Sequence, residues 1–115
     1  MPTQRSPRAK PSRTSAAPVF AALGDQTRLK LVARLSEQGP RSISELTAGA
    51  SITRQAITKH LHVLAGVGLV RCTRRGRERI WELEARPLDD ARRYLAEISQ
   101  HWDAALNRLK KFVEQ

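Results

Sequence analysis

Cysteine is almost absent from this chain of 115 residues, which contains Cys72 alone. A single cysteine cannot form an internal disulfide, so nothing in the sequence indicates an oxidising compartment. No apolar run approaches the roughly 20 residues needed to span a bilayer, and the N-terminus lacks the apolar stretch of a secretory signal. The sequence therefore predicts a cytoplasmic protein that does not enter the membrane.

Motifs for catalysis are also missing. The sequence has no glycine-rich phosphate loop, no cluster of cysteine and histidine, and no nucleophile with an accompanying base. Asp89 and Asp90 are adjacent acids near the start of a predicted helix, where negative charge favours the helix dipole. Helix capping explains this pair better than catalysis, so we expect neither an enzyme nor a bound cofactor or metal.

Acidic residues are few, since 11 Asp and Glu stand against 21 Lys and Arg and leave a formal net charge of +10. Basic side chains clustered on one face attract phosphate through their field and through the release of counterions. The composition therefore predicts an anionic partner. Charge alone does not distinguish DNA from RNA or from an anionic lipid.

The length allows one domain with a modest core. Residues 1–17 contain four basic residues, no acidic residue and three prolines, so we expect this stretch to be disordered when free. Two roles stay open for it, a basic arm that adds non-specific DNA contacts or a solubilising tail. Residues 18–115 are predicted to form the folded domain.

Residues 42–83 show the order of parts of a winged helix-turn-helix that binds DNA. Ser42 and Glu45 predict a capping box at the start of a first helix that ends near Gly49. Thr53 predicts the start of a second helix with an apolar stripe of Ile57, Leu61, Val63 and Leu64. Two short strands, at 69–73 and 79–83, then surround an arginine-rich turn at 74–78.

Helical patterns flank this unit. Residues 18–23 form an apolar turn or helix, and Asp25 caps a helix that ends at Gln38 with core positions Leu29, Leu31, Val32 and Leu35. In the last segment, apolar residues alternate at spacings of three and four, at Leu88, Ala91, Leu95, Ile98, Trp102, Ala105, Leu109 and Phe112. We refer to these eight residues as the terminal seam.

The terminal seam is about 40 Å long at 1.5 Å per residue, which is hard to bury on so small a domain. A second copy of the chain is its natural partner, while folding back onto the chain's own domain is the alternative. The predicted fold class is thus mainly α with a small β-hairpin, a winged helix-turn-helix that dimerises through terminal helices.

Double-stranded DNA is the predicted partner, because the N-terminal part of a recognition helix enters the major groove. The candidate contacts on this helix are Thr53, Arg54, Gln55, Thr58, Lys59, His60 and His62. Gln55 can pair with adenine and Arg54 with guanine through two hydrogen bonds each. Thr53, Lys59 and His62 suit backbone contacts, and His60 suits either a contact or a buried spacer.

In the hairpin, Arg74, Arg75 and Arg77 lie where a wing touches the adjacent minor groove. Three alternatives stay open at this stage. The polar residues of the second helix can simply keep it soluble. The protein can be an architectural DNA-binding protein without sequence preference, or the winged helix can serve protein contacts alone.

The chain resembles the ArsR family of bacterial winged-helix repressors, also called the ArsR/SmtB family. The resemblance covers about residues 18–115 and is carried by FAALGDQTR at 20–28, ISEL at 43–46, TRQAITKHL at 53–61 and VLAGVGLV at 63–70. It implies a homodimer that occupies an inverted-repeat operator overlapping a promoter, blocks transcription, often of its own operon, and is released by a signal.

Metal-sensing members of that family carry a Cys-x-Cys pair before the recognition helix, or Asp and His ligands in the last helix. Here residues 44–47 read SELT, and His101 has no second histidine after it. The chain therefore resembles the branch without metal motifs, and a small-molecule inducer stays unidentified. Cys72, between Arg71 and Thr73, suits either a redox switch or a small apolar residue of the first wing strand.

Overall fold

The computed structural model describes residues 13–114, with side chains from residue 16 onward. Within that range the chain forms five helices and three strands. In chain order they are α1 Arg13–Leu23, α2 Gln26–Gln38, β1 Arg41–Ser42, α3 Ile43–Thr47, α4 Arg54–Gly66, β2 Val70–Arg75, β3 Glu78–Leu83 and α5 Ala85–Glu114. This is the predicted architecture, mainly α with a small antiparallel sheet.

Helix α1 begins five residues before the predicted domain boundary. The prediction of disorder is therefore wrong for residues 13–17, while residues 1–12 lie outside the described part of the chain. Alanine is the best helix former, and Ala16, Val19 and Ala22 form a buried stripe at helical spacing that runs across Pro18. Burial of this stripe extends the helix upstream of a proline that we expected near its start.

Local capping starts each helix of the central unit as predicted. The Asp25 carboxylate accepts a hydrogen bond from the backbone N–H of Arg28 at 3.0 Å. Ser42 and Glu45 form the capping box, with the Ser42 hydroxyl accepting from the Glu45 N–H and the Glu45 carboxylate accepting from the Ser42 N–H. Thr53 caps α4 by accepting from the Ala56 N–H at 3.1 Å. Each side chain satisfies an amide that the helix itself leaves free.

The core lies where α2, α3, α4 and the base of the sheet meet. Its most deeply buried side chains are Leu35, Leu46, Ile57, Leu61, Leu64 and Leu69. Two positions predicted for the core are exposed instead. Leu29 is 53% exposed and Val63 is 45% exposed, because each lies on the flank of its helix, away from the neighbours that cover the rest of the stripe.

The wing is a three-stranded antiparallel sheet in the order β1, β3, β2. Strand β1 was not predicted, and it pairs Arg41 with Trp81 and Ser42 with Ile80. The β2–β3 hairpin closes through two residues, Gly76 and Arg77, with Arg75 paired to Glu78. Gly76 has a φ of +61° at the first turn position, which glycine adopts without steric cost.

The predicted turn at 74–78 was therefore too long. Arg74 and Arg75 belong to β2, and Glu78 begins β3. The hairpin extends further because its strands continue pairing outward from the buried side chains of Val70, Ile80 and Trp81.

Helix α5 has 30 residues and begins at Ala85, so Asp89 and Asp90 lie beyond its first turn and the predicted role in capping is wrong. Its start packs on the domain, with Ala91 buried and Leu88 partly buried against the core. Tyr94 contacts Phe20 of α1, with 6.2 Å between the ring centroids. These contacts fix α5 to the DNA-binding unit of its own chain.

The rest of the terminal seam is largely uncovered. Leu95, Trp102, Leu109 and Phe112 are all more than half exposed, while Ile98 and Ala105 are half-buried. Leu106 and Val113 widen the exposed apolar face. No helix among residues 13–114 is both long enough and apolar enough to cross a membrane.

The two carboxylates that cap α2 and α3 predict a loss of stability in acid. The backbone hydrogen bond from Arg28 lowers the pKa of Asp25 below its ordinary 3.8, and that from Ser42 lowers the pKa of Glu45 below 4.5. A lowered folded-state pKa gives stability that is present above the ordinary pKa and is lost as the pH falls through the folded value. Denaturant unfolding of the chain should therefore give a lower midpoint below about pH 4 than at pH 6.

The matched control is the double variant Asp25→Asn and Glu45→Gln, because asparagine and glutamine keep the capping hydrogen bonds without titrating. Its midpoint should fall less steeply between pH 6 and pH 3 than that of the wild type. Equal pH dependence of the two proteins would show that these caps do not contribute to acid unfolding.

Candidate nucleic-acid interface

Helix α4 has one buried face and one outward face. Ile57, Leu61 and Leu64 are at most 2% exposed and hold the inner face against the core. Gln55 and Lys59 lie two residues to either side of Ile57, about 160° round the helix from it at 3.6 residues per turn. Both are exposed, so the helix presents an amide and an ammonium group on the side opposite the core.

The N-terminus of α4 carries a positive charge where the helix dipole disfavours one. Arg54 is the first helical residue, and the first turn has no acidic residue. A cation at the positive end of a helix costs about 0.3–1 kcal/mol in exposed positions. Thr53 and Arg54 are both exposed, and an anion bound at this end of the helix would offset the cost.

Two other predicted contacts on α4 have partners within the protein. The Thr58 hydroxyl donates to the Arg54 carbonyl at 2.9 Å, which leaves its oxygen free only to accept. His62 is exposed, with its ring 5.9 Å from that of Trp81 in β3. His62 therefore marks the side of α4 that faces the wing.

His60 is partly buried and contacts residues of the protein itself. Its Nδ1 lies 3.2 Å from an Arg28 guanidinium nitrogen and 3.8 Å from the Asp25 carboxylate. Arginine can only donate, so Nδ1 accepts and this hydrogen bond requires an unprotonated nitrogen there. Arg28 also donates to the Ala22 carbonyl at 2.6 Å. The cluster ties the middle of α4 to the junction of α1 and α2.

The wing brings basic side chains together across its two strands. Arg74 of β2 lies directly opposite Arg79 of β3, whereas Arg75 lies opposite Glu78. Like charges at directly opposed positions destabilise a sheet. Side chains two residues apart share a face, so Arg79 projects from the same face as Trp81, the face that contacts His62 of α4.

The nine arginines from α2 to β3 fall into two groups, and four more, Arg86, Arg92, Arg93 and Arg108, are exposed on α5. Arg28, Arg34, Arg41 and Arg71 are bound to backbone carbonyls, carboxylates or His60. The hydrogen bond that Arg71 donates to the Glu82 carboxylate, reinforced by the negative charge of Glu84, raises the pKa of Arg71, and the two carboxylates offset its positive charge. By contrast, among residues 16–114 no side-chain partner holds the guanidinium groups of Arg54, Arg74, Arg75, Arg77 and Arg79.

The second group lies entirely on the wing and at the N-terminus of α4, which are the two parts that contact DNA in winged helices. All five side chains are exposed. Of the predicted residues, the structure brings Arg54 and Arg77 to one cavity, and it places Arg74 and Arg75 on β2 of the same hairpin as Arg77. Burial of the opposite face of α4 directs Gln55 and Lys59 outward.

Sequence reasoning missed two residues of this region. Arg79 was assigned only to a strand, because the predicted turn was too long to reveal that it lies opposite Arg74. Arg28 was given no role, because no local signal points to its contact with His60, 32 residues away. In the described part of the chain, no three His, Cys, Asp or Glu residues are grouped so that they could hold a metal ion.

Comparison with known proteins identifies relatives of the whole arrangement. The family described as Helix-turn-helix domain matches residues 23–73. The uncharacterized HTH-type transcriptional regulator YuzN of Bacillus subtilis (strain 168) is 43% identical over 76 residues, which cover 61% of this chain and 83% of that protein.

Solved structures show similarity over a larger share of the chain. An ArsR-like transcriptional regulator from Rhodococcus sp. RHA1 superimposes with a TM-score of 0.75 and 35% identity, covering 86% of this chain and 92% of that one. The transcriptional repressor BigR from Xylella fastidiosa gives a TM-score of 0.59 and 28% identity, covering 69% and 81% of the two chains.

The division of the arginines predicts different effects for two substitutions on the wing. Arg77→Ala should weaken binding to every duplex sequence by about three- to tenfold, as expected for one lost hydrogen bond of about 0.5–1.5 kcal/mol. If Arg77 contacts a phosphate, the dependence of log affinity on log salt concentration should also fall by about 0.9. Fluorescence anisotropy titrations at several salt concentrations measure both quantities.

Arg71→Ala is the matched control, because it removes an arginine of the same hairpin that Glu82 and Glu84 already neutralise. Its affinity and salt dependence should stay close to those of the wild type. Equal losses in the two variants would contradict the assignment of Arg77 to the arginines that are free to contact DNA and of Arg71 to those that are not.

Proposed function

The chain belongs to the ArsR family of winged helix-turn-helix transcriptional regulators, and from this premise we propose that it is a homodimeric repressor. It binds an inverted-repeat operator that overlaps a promoter and thereby blocks transcription, with its own operon as one target. The name of the similar BigR protein, a transcriptional repressor, supports the direction of regulation. Its DNA target places its action in the cytoplasm.

One observation carries the DNA-binding part of this proposal. Five of the exposed arginines without internal partners lie on the wing and at the N-terminus of α4, the helix that also exposes Gln55 and Lys59, and the other four among the described residues, Arg86, Arg92, Arg93 and Arg108, lie on α5. Four of the five wing and α4 arginines fall within residues 74–79, so their positive charge is concentrated on one hairpin, where it can attract phosphate. The same concentration disfavours a winged helix that serves protein contacts alone.

Sequence preference is expected to come from the outward face of α4. A glutamine side chain can form two hydrogen bonds with adenine. Its carbonyl oxygen accepts from the N6 amino group, and its NH₂ group donates to N7. Gln55 is exposed at the second position of α4, which is the part of a recognition helix that reaches the base edges. Lys59, one turn further, extends the same face.

The dimeric part of the proposal is supported by the exposed apolar face of α5. With 30 residues this helix is about 45 Å long at 1.5 Å per residue, and Leu95, Trp102, Leu109 and Phe112 are exposed along it. Contiguous apolar surface on this scale marks an association site. A stripe with alternating spacings of three and four is complementary to a second copy of itself across a twofold axis.

Dimerisation would couple two recognition helices to two half-sites. Because α5 packs on α1 through Tyr94 and Phe20, joining two α5 helices also fixes the relative positions of two DNA-binding units. Binding of one half-site then raises the effective concentration of the second unit at the other. The small-molecule or redox signal that would release such a dimer is the unassigned part of the regulation.

Gln55→Ala tests sequence-specific binding. A duplex selected by the wild type from a randomised pool serves as the cognate site, and a scrambled duplex of equal length as the reference. The variant should lose about 1–3 kcal/mol of preference for the cognate duplex, with little change on the scrambled one. Competition titrations measure the ratio, and an unchanged ratio would contradict the assigned orientation of α4. A wild type that selects no motif at all would favour the architectural alternative.

Leu109→Glu tests the dimer. A charge inside the apolar face should shift the protein to a monomer in analytical ultracentrifugation and lower its affinity for the cognate duplex by about 100-fold or more, because the avidity of two linked sites is lost. Asn107→Glu is the matched control, since residue 107 lies on the opposite side of the same helix and the added charge is identical. Unchanged affinity of Leu109→Glu, or equal losses in the two variants, would contradict the proposed interface.

A further inference from the structure

A basic cavity of about 220 Å³ lies where the wing meets the helix-turn-helix. Its charged lining consists of Arg54 from the start of α4 and of Arg77, Glu78 and Arg79 from the wing, and its other lining residues are Ser42, Ile43 and Ser44 at the start of α3. Arg54 and the two wing arginines thus come from separate parts of the fold. We refer to this cavity as the wing cavity.

The charges of the wing cavity are not balanced by the protein. Three arginines and one glutamate leave a formal charge of +2 in this small volume. Among the described residues, no hydrogen bond or ion pair holds any of the three guanidinium groups. Two structural costs add to this imbalance, the position of Arg54 at the positive end of α4 and the opposition of Arg79 to Arg74 across the hairpin.

The position of the cavity relative to bound DNA suggests what fills it. In a winged helix the recognition helix lies in the major groove and the wing reaches the adjacent minor groove. One sugar-phosphate strand separates two adjacent grooves, so it must pass between α4 and the hairpin. The wing cavity opens between these two elements, and its guanidinium groups match the geometry of phosphate oxygens.

We propose that the wing cavity is the binding site for one backbone phosphodiester of the operator, held jointly by Arg54 and Arg79. Arg54 is then a phosphate ligand and not the guanine reader that its place on α4 suggests. Arg79 becomes a DNA-binding residue, and Arg77 at the tip of the wing closes the cavity. Base recognition is left to Gln55 and Lys59. This inference rests on the proposed DNA-binding function and assigns residues within it.

The test compares Arg54→Ala, Arg79→Ala and the double variant on the selected cognate duplex and on its scrambled counterpart. Each single variant should weaken both duplexes by the same factor, about tenfold, and lower the salt dependence of binding by no more than about 0.9, the value for one phosphate contact, because the other arginine stays at the same phosphate. Because the two arginines share one phosphate, the double variant should also lose about 0.9, and not the roughly 1.8 expected for two separate contacts. Arg71→Ala is the control and should change neither quantity.

The outcomes separate this inference from the proposed function. If the wild type prefers the cognate duplex and Arg54→Ala abolishes that preference, Arg54 reads a base and the inference is wrong, while the repressor proposal stands. If the double variant lowers the salt dependence by about 1.8 in total, the two arginines hold different phosphates and the shared site is wrong. A wild type without any preference contradicts the proposed function instead.

Free inorganic phosphate presents the same oxygen atoms as a DNA phosphodiester and is the alternative ligand of the wing cavity. Inorganic phosphate replaces chloride at constant ionic strength, and its binding is followed by calorimetry in the absence of DNA. Phosphate binding that Arg54→Ala abolishes, combined with unchanged affinity of this variant for both duplexes, would identify a site for free phosphate and overturn the assignment to the operator. No phosphate binding without DNA, together with the expected losses on the duplexes, supports the backbone contact.

Discussion

The burial of one face of α4 is the constraint on which the DNA-facing surface depends. Ile57, Leu61 and Leu64 are packed so completely that the helix cannot rotate about its axis without exposing a leucine or an isoleucine, each worth about 1.5–3 kcal/mol when buried. This packing directs Gln55 and Lys59 outward. It also orients Arg54 and His62 toward the wing.

A second set of restraints holds the wing and the helices in register. Pairing of Ser42 with Ile80 joins the start of α3 to β3, and the contact between His62 and Trp81 joins α4 to the same strand. The cluster of Arg28, His60 and Asp25 attaches the middle of α4 to α2. These links make the separation of the recognition helix and the wing a property of the fold, which suits a partner of regular geometry such as duplex DNA.

Local signals predicted much of this arrangement. The caps at Asp25, Ser42 and Thr53 act within four residues of chain, so the starts of α2, α3 and α4 could be inferred from the sequence. The length of the wing strands could not be inferred from the sequence, because the pairing of the strands depends on which residues of β3 are buried by distant helices. The arginine-rich stretch at 74–78 has the composition of a loop, although most of it is strand.

The functional surface was predicted less completely for the same reason, because it depends on contacts between elements that are distant in the sequence. Periodicity assigned Leu29 and Val63 to the core, but it cannot say whether a neighbouring element covers a given flank of a helix. The role of His60 depends on Arg28, and the wing cavity depends on residues from α3, α4 and the hairpin. The terminal seam was visible in the sequence, yet only the structure divides it into Leu88 and Ala91, which pack on the chain's own core, and an exposed part from Leu95 onward.

The central claim, a dimer that recognises a specific operator, is tested most directly by selecting sheared genomic DNA on the purified protein at near-physiological salt and sequencing what is retained. We expect a sharp inverted-repeat motif at one or a few promoters, with half-sites spaced about 10 base pairs or a multiple of that distance apart, as two linked recognition helices require. Broad retention of DNA without a motif would contradict the account and would identify a sequence-neutral DNA-binding protein.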